Sequence, residues 1–112
     1  MNVEAALVAY LSRELGVPAY GDVPDPRPGE FVTVERTGGA TERFRDLPQV
    51  AVQFWAPSRH EASELCRRGV AALAAFEGED GVCRVDVTTS YDFPDPDSRQ
   101  ARYQAACELV TA

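Results

Sequence analysis

The stretch PQVAVQFWAPSRHEASELCRRGVAALAAF, residues 48–76, contains a strand and a helix in immediate succession. Its first eight residues alternate, with Val50, Val52 and Phe54 facing one way and Ala51, Gln53 and Trp55 the other. Ser58 and Glu61 then form a capping box, and apolar residues recur at helical spacing as far as Phe76. The stretch therefore predicts a strand over residues 48–55 and an amphipathic helix over residues 58–76.

Gly69 lies on the apolar side of this predicted helix. Glycine inside a helix costs about 1 kcal/mol relative to alanine, so a helical glycine calls for a packing reason. We expect Gly69 to mark a close approach between the helix and a sheet.

The rest of the chain supplies a second helix and further strands. The helix spans residues 2–15, with Asn2 as its N-cap and Gly16 as its end. The strands are expected at residues 17–20, 31–35, 82–89 and 102–110. The fold class is then α+β, a mostly antiparallel sheet of four to five strands with both amphipathic helices packed on one face. A chain of 112 residues forms a single domain, residues 1–112, and leaves the other sheet face for solvent or a partner.

Composition limits the possible partners. The formal net charge of −7 argues against nucleic-acid binding as the main task, because phosphate contacts need a positive surface. Arg36, Arg43 and Arg45 flank one turn, which is an ordinary arrangement of solvated charges. The apolar runs are too short to span a bilayer, and the N-terminus has no basic segment followed by an apolar one. We expect a cytoplasmic site of synthesis and no membrane segment.

The sequence predicts no catalytic, cofactor-binding or metal site. His60 is the only imidazole and is expected at the exposed first turn of a helix. Cys66, Cys83 and Cys107 are widely spaced, without a C-x-x-C pair, and are expected to be reduced structural thiols. The Gly38-Gly39 pair lacks the residues of a phosphate-binding loop.

Aspartates gather in two proline-rich loops, at Asp22, Asp25, Asp92, Asp95 and Asp97. Aspartate next to proline is common turn chemistry, and it is the favoured interpretation. Carboxylates in such loops can also bind calcium, although the spacing of a known calcium loop is missing. The cation site stays open as the weaker alternative.

The order of these elements resembles the small tail-terminator and tail-completion (head–tail joining) proteins of long-tailed bacteriophages, of the actinobacterial phage and prophage type. After the N-terminal helix, the resemblance lies in residues 27–39, 50–56, 58–62, 93–96 and 102–103, and so spans nearly the whole chain.

The resemblance implies a homo-oligomeric ring, typically a hexamer, that caps the tail tube and joins it to head-side connector proteins. It implies a virion protein at the tail–head junction, without cofactor or reaction, through whose lumen DNA passes. An acidic subunit suits such a lumen, because a negative wall repels phosphate.

The candidate contact residues are Arg43, Phe44 and Arg45 in the connection between two strands, and Trp55 at a strand end. Phe44 either lies exposed at the tip of this connection or folds back onto the core, and the sequence supports both arrangements equally.

Two other classes compete with the ring. One is a ferredoxin-like regulatory module that holds a small ligand at a dimer interface, although the Pro/Asp loops fit it poorly. The other is an enzyme that uses the loop aspartates, which is the weakest of the three hypotheses.

Overall fold

The computed structural model describes residues 1–112 and contains two α-helices, one 3₁₀-helix and a single five-stranded sheet. The elements are α1 (Val3–Leu15), β1 (Ala19–Tyr20), β2 (Phe31–Gly38), β3 (Gln49–Ala56), α2 (Arg59–Ala75), the 3₁₀-helix (Phe76–Gly78), β4 (Val82–Asp92) and β5 (Ala101–Thr111). Neither α-helix has the length and apolarity that a membrane-spanning helix needs.

The strands lie side by side in the order β1-β2-β3-β5-β4. Only the short β1 runs parallel to its neighbour, and every other pair is antiparallel. β2 and β3 pair from Phe31 opposite Trp55 to Gly38 opposite Gln49, which is the hairpin expected from the sequence. The predicted α+β class and mostly antiparallel sheet are confirmed.

The helix ends follow the local signals in the sequence. The Asn2 side chain accepts a hydrogen bond from the Ala5 amide at 3.1 Å, and Gly16 ends α1 in the left-handed conformation, with φ of 68°. At α2 the Ser58 hydroxyl oxygen accepts from the Glu61 amide at 3.2 Å. Each interaction satisfies a backbone group that the helix itself leaves unpaired.

Both helices pack on the same face of the sheet, and the core lies between the two layers. The buried core comprises the apolar faces of α1 and α2 and inward side chains of the sheet, including Val32, Val34, Val50, Val52, Phe54, Ala105, Cys107 and Leu109. Helix α2 approaches the sheet closely at Gly69, as expected, since a Cβ built at Gly69 would lie 2.1 Å from Cε1 of Phe54.

Two strands are longer than the sequence pattern indicates. β4 was expected to end at Thr89 but continues to Asp92, because Ser90, Tyr91 and Asp92 each pair with a residue of β5. β2 likewise continues past Glu35 to Gly38 along β3. Ladder pairing with a neighbour thus extends the strands even to Gly38 and Asp92, whose residue types have low β propensity.

Candidate protein–protein interface

The connection between β2 and β3, residues 39–47, forms an ordered loop at one end of the sheet, and we call it the tip loop. Its base is closed by the Leu47 amide, which donates to the Ala40 carbonyl at 2.9 Å. Nearer the tip, the Glu42 amide donates to the Arg45 carbonyl at 2.8 Å. These bonds give the loop a defined backbone path.

Asp46 holds the tip loop to the sheet. Its carboxylate accepts hydrogen bonds from the Arg36 guanidinium on both oxygens, one at 2.9 Å, and from the Thr41 hydroxyl at 2.9 Å. The Leu47 amide donates to the same carboxylate at 3.1 Å. The Asp46 backbone also pairs with Thr111 of β5, at 2.8 and 2.9 Å. The sequence interpretation of Arg36 as a merely solvated charge was therefore wrong.

This network perturbs the ionisation of Asp46. The hydrogen bond from Arg36 is the largest cause, and it lowers the pKa of the Asp46 carboxyl to about 2 from its ordinary 3.8, while partial burial opposes the shift. The hydrogen bonds from Thr41 and the Leu47 amide lower the pKa further. Asp46 is consequently ionised wherever the protein works near neutral pH.

The far side of the tip loop carries three of the four candidate contact residues. Phe44 is 83% exposed, which answers the question that the sequence left open. The Arg43 guanidinium carbon lies 5.0 Å from the centre of the Phe44 ring, and Arg43 makes no ion pair. Arg45 instead pairs with Glu42 at 2.7 Å. The tip therefore presents an apolar ring beside an unpaired cation.

Trp55, the fourth candidate, is buried, with only 2% of its surface exposed. Its ring stacks on Phe31 at a centroid distance of 5.1 Å, and the guanidinium groups of Arg27 and Arg102 lie 5.2 and 4.8 Å from its centre. The indole N–H donates to the Thr33 hydroxyl oxygen at 2.9 Å. Trp55 offers no contact surface in the folded chain, and the structure corrects that part of the sequence prediction.

The sheet face turned away from the helices, which we call the open face, carries a chain of side-chain hydrogen bonds. Thr33 donates to Gln53 at 2.8 Å, Gln53 donates to Gln104 at 2.7 Å, and Gln104 donates to the Tyr91 hydroxyl oxygen at 2.5 Å. The chain crosses four strands and satisfies polar groups that would otherwise lose water on burial. It connects the central strands of the open face to β4.

The two proline-rich loops meet at the end of the sheet opposite the tip loop. Arg27 from the first loop donates to Ser98 and Gln100 of the second, both at 3.0 Å, and lies 3.7 Å from Asp95. The Asp95 carboxylate accepts from the Ser98 hydroxyl and amide, and these bonds lower the pKa of Asp95. Asp95 thus acts as a turn residue, which was the favoured interpretation of these loops.

The titratable residues singled out in the sequence are dispersed. His60 lies exposed in the first turn of α2, and the structure brings together no group of three His, Cys, Asp or Glu side chains that could hold a metal ion. Cys66 and Cys107 are buried, and burial raises the pKa of both thiols, to about 12 for Cys107. Cys83 is exposed, contrary to expectation, because a bulge between Val82 and Arg84 interrupts the alternation of β4.

Comparisons with known proteins bear on the fold. No family model matches the chain, and no curated protein sequence matches it. Among solved structures, a chain in the virion of a native gene transfer agent particle is similar over 92% of this chain and 84% of its own, with a TM-score of 0.63 and 14% identity. A crystal structure from Akkermansia muciniphila is similar over 95% of this chain, with a TM-score of 0.50 and 15% identity. This chain spans 46% of the Akkermansia chain. At these identities the likeness shows a shared fold.

Proposed function

We propose that the chain is a structural protein of a phage-like virion, in which it forms a ring that ends the tail tube and joins it to the head-side connector. The observation that carries the proposal is the shared fold over nearly the whole chain with a component of a gene transfer agent virion. The shared fold supports a virion role, and the ring at the end of the tail tube is what the resemblance noted in the sequence implies.

The charge of the subunit supports this role. A net charge of −7 on 112 residues gives a ring of several copies a large negative field, which keeps DNA from adhering as it slides through a lumen. Binding of specific DNA sequences is not part of the proposal.

The tip loop supports an assembly role as well. Phe44 is the most exposed large apolar side chain of the molecule, and the loop that carries it is held in place by Asp46 and Arg36. A preorganised contact loses less conformational entropy on binding, so such a loop suits an interface. We therefore assign Arg43, Phe44 and Arg45 to contacts with another subunit, the tail tube protein or the connector.

The role assigned here is assembly alone, with no reaction and no cofactor. The protein is made in the host cytoplasm and ends at the junction of tail and head. Its partners are further copies of itself, the tube protein and connector proteins.

The first test is the solution mass measured by light scattering over a hundredfold range of protein concentration. Six subunits of 12.2 kDa give about 73 kDa, and the expected result is that mass or a climb towards it. A dimer that never grows would favour the ligand-binding module instead. A monomer at every concentration would contradict ring formation by the subunit alone, and electron microscopy of tail tubes mixed with the protein would then decide whether rings form only at tube ends.

A further inference from the structure

Phe31 and Trp55 form a buried aromatic pair on the open face, apart from the main core. They lie opposite each other in the β2–β3 ladder, and their exposed fractions are 0% and 2%. Neither ring belongs to the apolar cluster between the helices and the sheet. A sheet face that carries no helix leaves its side chains to solvent unless another segment covers them. A segment outside the two layers of the fold therefore covers this pair.

The first proline-rich loop, residues 21–30, supplies part of this cover, and we call it the strap. Two of the groups around the indole belong to neighbouring strands, since Phe31 lies opposite Trp55 on β2 and Arg102 lies opposite it on β5. The third group comes from the strap, where the guanidinium carbon of Arg27 lies 5.2 Å from the centre of the indole. The accessibility of Trp55 therefore depends on the position of the strap.

The strap is attached to the rest of the chain by the polar contacts of one side chain. Residues 21–30 make no main-chain hydrogen bond, and none of them is buried. Arg27 donates to Ser98 and Gln100 of the second proline-rich loop, both at 3.0 Å, and lies 3.7 Å from the Asp95 carboxylate. Both hydrogen bonds lie at the exposed surface. Segments with few hydrogen bonds and exposed contacts open locally at a small cost in free energy.

Three prolines, Pro24, Pro26 and Pro28, make the strap stiff. Each proline ring fixes its own φ, so the chain between them has few conformations. Movement is then concentrated at the two ends of the strap, as at the hinges of a rigid segment. Release of Arg27 is therefore expected to lift the strap as one body.

We propose that the strap opens and closes over Trp55, and that the contacts of Arg27 hold it closed. The structure shows the closed state, in which the aromatic pair is covered. In the open state the indole becomes accessible on the open face. Arg102 remains beside it, because its Nε donates to the Phe93 carbonyl at 2.7 Å. The strap thus keeps apolar surface of the subunit covered when closed and makes it available when open.

Quenching of fluorescence by acrylamide tests the opening, because Trp55 is the only tryptophan of the chain. Arg27→Ala removes the side chain that holds the strap. The double variant Ser98→Ala/Gln100→Ala removes the two acceptors and leaves Arg27 in place. Both are expected to raise the quenching constant about twofold or more. Arg45→Ala is the matched control, since it removes an exposed ion pair within the tip loop, and it should leave the quenching constant unchanged.

The double variant decides between a moving strap and a covering side chain. An increase in Arg27→Ala alone would mean that this side chain covers the indole while the strap stays in place, and would overturn the inference. An unchanged quenching constant in both variants would overturn it as well. Far-UV circular dichroism shows whether each variant is folded, and light scattering shows that the samples compared have the same state of association.

A spin label on the strap provides the second measurement. Val23→Cys is made on a Cys83→Ser background, where the remaining native thiols are buried, and a nitroxide is attached at position 23. The mobile fraction of its spectrum is expected to rise about twofold or more when Ser98→Ala/Gln100→Ala is added. An unchanged spectrum would overturn the inference. Both measurements are made on the subunit itself, so their failure would leave the proposed ring intact, and a subunit that never associates would leave the strap intact.

Discussion

Replacement of Gly69 by alanine tests how α2 is seated on the sheet. The added methyl carbon would lie 2.1 Å from Cε1 and 2.3 Å from Cζ of Phe54, whose side chain is fully buried. Carbon atoms in ordinary contact are about 3.5–4.0 Å apart, so either the ring or the helix must move.

The magnitude follows from two opposing terms. Overpacking of a well-filled core costs about 1–3 kcal/mol, and an overlap this deep belongs at the upper end. Alanine has a higher helix propensity than glycine, and this difference stabilises the helix by about 1 kcal/mol. The net expectation for Gly69→Ala is a loss of about 2 kcal/mol in the free energy of unfolding, or about 8 °C in Tm for a chain of this size.

Thermal and urea unfolding followed by circular dichroism measure the effect. Gly78→Ala is the matched control, because nothing lies within 4 Å of a Cβ at Gly78, and its Tm should stay the same or rise. In a Phe54→Leu background the two closest ring atoms are gone, so Gly69→Ala should cost at least 1 kcal/mol less than in the wild type. A Tm for Gly69→Ala as high as that of the control would refute the reasoning.

Three further predictions concern ionisation, thiol access and the buried indole. Because the pKa of Asp46 is lowered to about 2 in the folded state, its stabilising contribution is complete above pH 4 and is lost as the pH falls towards 2. The difference in Tm between wild type and Asp46→Asn should therefore shrink over that range, and a constant difference would contradict the assignment. In the native protein a thiol reagent should label Cys83 within minutes, whereas Cys66 and Cys107 should react only on unfolding, and the labelled residues are identified by peptide mass. Trp55→Phe should lower the free energy of unfolding in urea by about 1–2 kcal/mol, because it removes the indole hydrogen bond and part of the buried area. An unchanged free energy of unfolding would contradict the hydrogen bond from the indole to Thr33.

The sequence predicts the layer arrangement because each local signal acts within a few residues. The alternation around Phe54 marks the sheet face that meets the helices, and the recurrence of apolar residues along α2 marks the matching helix face. Ser58 and Asn2 fix where the helices begin. Gly69 even predicts a tertiary contact, since its cost in a helix needs a compensating close approach.

Reasoning from local sequence signals fails where long-range pairing or loop geometry determines the position of a side chain. Trp55 is on the predicted side of its strand, yet Arg27 from a proline-rich loop and Arg102 from the neighbouring β5 cover it, and no local pattern specifies that arrangement. Cys83 is exposed because a bulge shifts the phase of β4, and the sequence there shows an ordinary strand. The pairing of Arg36 with Asp46, ten positions apart in the sequence, likewise depends on the tip loop closing in one particular way.

The exposure of Phe44 separates the stability of the fold from its proposed assembly. The core lies between the helices and the sheet and excludes Phe44, so truncation of Phe44 should leave the free energy of unfolding unchanged. Asp46 contacts both the tip loop and β5, through its carboxylate and its backbone pair with Thr111. Removing its charge should therefore loosen the loop without removing the contact residue. If the tip loop works as a preorganised contact, Asp46→Asn must weaken self-association while Phe44 remains present, because the loop would then lose conformational freedom at the moment of binding. The sequence places this aspartate only two residues from Phe44, where one carboxylate can hold the loop and leave the ring exposed.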